Sequence, residues 1–106
     1  MFIPDKGDIV SFKSITDQGE TSRLALVLSR HLFNAHTECV FVAPITHVLR
    51  GMKMEVVLPE ETSTQGAVLI HQFTSLELSR HPLTFIEKVP AHVTDEAVAL
   101  TTVILS

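Results

Sequence analysis

Three side chains of metal-ligand type, His31, His36 and Cys39, stand close together in the sequence. Zinc takes four such ligands in a tetrahedron. The spacing does not bring all three to one helical face, and no second ligand pair stands elsewhere, so no metal or other cofactor is expected. His71 ends an apolar run. An imidazole, whose unperturbed pKa is about 6.5, can act there as base or acid, or can bond backbone at a strand end. Arg50-Gly51-Met52-Lys53, shortly after His47, forms a basic turn that is either a solvated hairpin or a contact for phosphates. Phe33, Phe73 and Phe85 read as core residues first, and Phe73, which follows His71-Gln72, is the one to test for base stacking. His81 and His92 read as solvated loop residues. Read singly, Arg23 is a cation at a loop end and Thr46 a strand-end hydroxyl that can bond backbone.

These residues have to be positioned by short strands. Ile9-Val10-Ser11-Phe12 follows the turn signal Lys6-Gly7-Asp8, and the unbroken apolar run Leu24 to Leu28 predicts a central strand buried on both faces. Cys39 to Ile45, Met54 to Leu58, Ala67 to Ile70 and Phe85 to Val89 complete a mainly β, antiparallel set of five or six strands. The polar segment Ser14 to Ser22 predicts an exposed, mobile loop. Ser29 to Asn34 can add a helical turn. Pro90 ends the last strand. A C-terminal helix is expected to begin at Thr94, with Asp95 and Glu96 in its first turn and Ala97, Leu100, Thr101, Ile104 and Leu105 on its packed face.

The bulk numbers narrow the function classes. A chain of 106 residues holds one modest core, which predicts a single domain over 1–106. A net charge of −4 argues against broad non-specific nucleic-acid binding, so any RNA-binding surface must be local. One cysteine makes no intrachain disulfide, and no run nears the ~20 apolar residues of a spanning helix, so a cytoplasmic protein without membrane contact is expected.

Four segments, in order, carry a family resemblance. Pro4-Asp5-Lys6-Gly7-Asp8-Ile9-Val10 resembles the Gly-Asp strand start of the MazF/PemK toxins, and Arg23 to Ser29 is similar to their Arg-Pro-Ala central strand. Val42-Ala43-Pro44-Ile45-Thr46 is similar to the Val-Pro-x-Thr segment, and Gly66 to Gln72 to the Gly-Val-to-Gln segment. The resemblance covers nearly the whole chain. It implies an SH3-like barrel with a C-terminal helix, a homodimer, and a MazE/PemI-like antitoxin with an acidic tail. It also implies metal-independent cleavage of single-stranded RNA, by 2′-hydroxyl attack on the adjacent phosphate to leave a 2′,3′-cyclic phosphate and a 5′-hydroxyl.

By that resemblance Arg23 and Thr46 are the catalytic residues, the guanidinium and the hydroxyl donating to phosphate oxygens as charge builds on them. His47, Arg50, Lys53, Gln72 and Phe73 are the RNA-binding candidates. The sequence departs from the family at Leu24, where a proline is common, and at His71, where some relatives carry aspartate. Glu20 lies in the loop that holds the family's acid, but that acid commonly sits further upstream. Glu20 and His71 are therefore catalytic candidates of a second rank. The same resemblance admits two other readings, a non-catalytic toxin of this fold that binds a protein such as DNA gyrase, and a degenerate ribonuclease that still binds antitoxin.

Overall fold

The computed structural model describes residues 2–49, 51 and 53–106. The elements in chain order are β1 (Asp8–Thr16), β2 (Gly19–Val27), α1 (His31–Thr37), β3 (Cys39–Thr46), β4 (Glu55–Val57) and β5 (Ala67–Leu69). A 3-10 turn (Ile70–Gln72), β6 (Thr74–Glu77), β7 (Thr84–Lys88) and α2 (Ala91–Leu105) follow. All strand pairings are antiparallel, in the order β4-β5-β3-β2-β1-β7, with β6 added beside β3. The sheet curls into a half-barrel, and the first turns of α2 lie against it.

Alternation along the central strands explains the two cores. Ile9 of β1 and Leu26 of β2 face one side, with Val56, Val68, Ile70 and the α2 residues Val93 and Ala97. Val10, Ala25 and Val27 face the other, with Val40, Val42, Leu78 and Leu83. A strand buried on both faces must be apolar at every position, which is the pattern of Leu24 to Leu28. Each fully buried Val, Leu or Ile among them contributes about 1.5–3 kcal/mol.

Several expectations are corrected. Ser14 to Ser22 is no loose loop: β1 and β2 run through it as a paired ribbon, with Thr16 opposite Gly19 and a turn at Asp17-Gln18. Its side chains bury no core, as Ile15 at 85% exposure shows, so cross-strand hydrogen bonds hold it without any hydrophobic signal. α2 begins at Ala91, directly after the extended Pro90, so Asp95 and Glu96 lie beyond its first turn. α2 packs through Val93, Thr94, Ala97 and, as expected, Leu100, while Ile104 and Leu105 of its last turn stand exposed. Phe33 and Phe85, expected in the core, are exposed, and His92, expected in a loop, lies in α2.

The N-terminal segment is closed onto this frame by a polar network. Buried Asp8 takes Lys88 Nζ at 3.0 Å and the Asp5 N–H at 2.8 Å. Asp5 in turn accepts the N–H groups of Lys6 and His31, and the His31 bond is the main cause that holds its carboxyl below the ordinary value. Asn34, fully buried in α1, donates to the carbonyls of Pro4 and Ser29.

Candidate active site

A proline sets the cleft. β2 and β3 pair at Val27–Val42, Leu26–Ala43 and Ala25–Pro44, and the ladder stops there. Pro44 has no N–H to extend it. β3 then passes to the other side of the half-barrel, pairing Ile45 with Val68 and Thr46 with Ala67 of β5. Where the strand ends part, a cleft of about 410 Å³ opens, lined by Arg23, Pro44, Thr46, His47, Val48, Leu69 and Gln72 among others.

Arg23 lies two residues beyond the last β2–β3 pair on β2 and Thr46 two beyond it on β3, and both line the cleft that opens there. Arg23 is itself held in register by Phe12 of β1, directly across the ladder. Its guanidinium is exposed and meets no carboxylate at ion-pair distance among the described residues. Thr46 Oγ1 accepts the Val48 N–H at 3.1 Å. That bond occupies a lone pair and leaves the hydroxyl proton free to donate into the cleft. Gly66 fixes the backbone behind it: a Cβ there would run into the Thr46 carbonyl oxygen, and φ of +124° favours glycine.

His47 and Gln72 share the cleft with Arg23 and Thr46. His71 lies beside Gln72 on the 3-10 turn, with its Nε2 3.4 Å from the Gln72 amide nitrogen, exposed and outside the cleft lining. Glu20 is three residues from Arg23 and so projects from the opposite face of β2, where it bonds Lys13 at 2.9 Å. This pairing raises the Lys13 pKa. Lys53 is exposed in the turn before β4, and Arg50 lies outside the described residues. Phe73 packs against the core and lines a separate apolar cleft with Thr101 and Leu105. His31 and His36 belong to α1 and Cys39 begins β3; among the described residues no three His, Cys, Asp or Glu side chains are grouped to hold a metal.

Leu24, where the family commonly has proline, turns its side chain into the core, and its neighbour Arg23 is presented by the β1 ladder instead. The sequence reading missed Pro44 as the residue that opens the cleft and Gly66 as the one that seats Thr46. A proline inside an otherwise apolar strand is the signal that marks the first.

The antiparallel half-barrel with a C-terminal helix is the architecture of the MazF toxins. Against crystal structures from Deinococcus radiodurans, the chain is 28% identical to MazF in a MazE-MazF complex, with TM-score 0.91 over 99% of this chain and 97% of that one. It is 27% identical to MazF alone, with TM-score 0.86 and coverage of 99% and 98%. A mycobacterial endoribonuclease solved with its cognate antitoxin shares the fold at TM-score 0.76 and 16% identity, with coverage of 99% and 95%. No curated protein matches the chain. The model of the PemK-like, MazF-like toxins of type II toxin-antitoxin systems matches residues 5–104, and the chain belongs to that family.

Proposed function

We propose that residues 1–106 act as one unit, the toxin of a type II pair, and cleave single-stranded RNA at the Arg23–Thr46 cleft. The observation that carries this reading is the convergence on one cleft of a guanidinium and a hydroxyl proton that have no partner among the described residues, from the neighbouring strands β2 and β3. In the reaction the ribose 2′-oxygen bonds to phosphorus as its proton is removed, and the P–O5′ bond breaks with a proton delivered to the leaving oxygen. Arg23 donates in a plane to two phosphate oxygens, Thr46 adds a third donor, and neither needs a metal. His47 and Gln72 flank the RNA, with Lys53 in the turn before β4; Arg50, the other cationic candidate, lies outside the described residues. His71 is close enough in the fold to be tested for proton transfer, whereas Glu20 is turned away and already bonded.

RNA incubated with the purified protein in EDTA, followed by sequencing of the new ends, tests this. Cuts with 5′-hydroxyl and 2′,3′-cyclic phosphate ends support it. Intact RNA would leave the protein-binding or degenerate readings. The MazE-MazF complexes of D. radiodurans support an antitoxin partner, here one with an acidic tail that meets the cationic cleft. Exposed Leu32, Phe33, Phe41 and Leu105 supply apolar surface for the homodimer, which sedimentation checks. No described helix is long and apolar enough to cross a membrane, which fits a cytoplasmic site of action.

A further inference from the structure

The strand order leaves β4 at one end of the sheet and β7 at the other, and among the described residues no backbone ladder joins them. One carboxylate reaches across. Glu87 of β7, paired with Ile9 of β1 and half-buried, meets the loop between β4 and β5. One of its oxygens accepts the Ser63 N–H at 3.0 Å, and the other accepts the Thr64 N–H at 2.7 Å and the Thr64 hydroxyl at 2.8 Å. Thr64 is buried, and so is Thr62, whose hydroxyl lies 2.8 Å from both the Pro59 and the Thr64 carbonyl oxygens and draws the loop in on itself.

This loop delivers the chain to β5. Gly66, two residues after Thr64, accepts the Leu58 N–H at 2.9 Å and lies so close to the Thr46 carbonyl that no Cβ fits between them. Ala67 follows, with Val57 paired on one side and Thr46 on the other. β3 and β5 share only the pairs Ile45–Val68 and Thr46–Ala67, so the start of β5 places the backbone that carries the Thr46 hydroxyl. Resting on the ribonuclease reading, we infer that Glu87 is a positioning residue for cleavage: through Thr64 and Gly66 it holds the start of β5, and so Thr46, in place against the scissile phosphate. Glu87 is absent from the cleft lining and touches no RNA. Its loss misplaces one donor while Arg23, on β2, still holds the phosphate, which lowers kcat and spares KM.

Cleavage of a short RNA with one cut site, followed well below the melting temperature, tests this. Glu87→Gln keeps the size but turns an amide NH2 toward a donor, and should lower kcat about fivefold with KM within about twofold of wild type. The loss stays below that of Thr46→Val, because it runs through that hydroxyl. Thr64→Val, which removes a single hydroxyl from the clamp, should show a smaller loss of the same kind. On a Thr46→Val background, Glu87→Gln should lower kcat no further, a non-additivity that a general weakening of the fold does not produce. Amide exchange across Gly66 to Val68 should quicken in Glu87→Gln. Wild-type kcat or unchanged exchange in Glu87→Gln, or a loss that persists in full on Thr46→Val, would overturn the positioning role while leaving cleavage at the cleft in place. RNA left uncut by wild type overturns the ribonuclease reading, and the positioning role with it.

Discussion

The two polar regions of this molecule are built on opposite rules. Around Asp8 and Asn34, carboxylate and amide groups are matched: Asp8 with Lys88 and the Asp5 N–H, Asn34 with Pro4 and Ser29. At the cleft, Arg23 has no carboxylate at ion-pair distance among the described residues, and Thr46 keeps a proton to spare. Matched polar groups hold a fold, because a buried donor or acceptor left alone costs about 1–3 kcal/mol. Unmatched groups at an open cleft cost little, since water serves them until a ligand arrives. The first region should therefore answer to stability measurements and the second to rate measurements.

The largest effect is expected from Arg23→Ala. RNA cleavage should fall by about 10² to 10³, as for loss of a donor to a developing oxyanion, with the circular dichroism spectrum and melting temperature unchanged. A rate within a few-fold of wild type would remove Arg23 from the chemistry and with it half of the contrast. Asn34→Ala should do the reverse. Stranding the Pro4 and Ser29 carbonyls should cost about 2 kcal/mol of stability in a denaturant titration, while the rate per folded molecule holds. Thr46→Val keeps shape but removes the hydroxyl, and should slow cleavage by about tenfold, less than the loss of Arg23; equal rates would make Thr46 a structural residue.

The smallest effect concerns Glu87, whose carboxylate closes the β4–β5 loop by accepting the Ser63 N–H and both the N–H and hydroxyl of Thr64. Burial pushes its pKa up, but the Thr64 hydroxyl and the two N–H groups outweigh this and leave it lowered from 4.5. A lowered folded pKa means stability that is fully present above the ordinary value and lost as pH falls through the folded one. Thermal melts from pH 6 downward should show an acid limb about this carboxylate that is shallower in Glu87→Gln. Parallel curves for the two proteins would discount the loop closure.

The apolar strands were legible because burial on one or both faces writes itself as hydrophobic pattern: Leu24 to Val27, Cys39 to Ile45 and Ala67 to Leu69 all lie in strands, with Leu28 and Ile70 just beyond the strand ends. The β1–β2 ribbon was not legible, since its ladder is made of backbone bonds that any polar sequence can supply. β6, four residues at an edge with one half-buried side chain, gives no period to detect. The start of α2 was misplaced because Thr94 resembles a cap yet is buried inside the helix, against Gly7. As for the cleft, Arg23 and Thr46 were reached through segments that resemble a family. That they line one cleft follows from the parting of β2 and β3 at Pro44, which no spacing in the chain encodes.

The projecting ribbon has a consequence for how such a protein diversifies. Ser14 to Ser22 supplies no residue of either core, so lengthening, shortening or recolouring it is expected to change the barrel's stability little, which a denaturant titration checks. Its strands nonetheless lead directly into Phe12 and Arg23. Descendants of one ancestral chain can thus drift apart in what they recognise while inheriting the same chassis, and a segment that looks expendable to a folding experiment becomes the part on which selection has the freest hand.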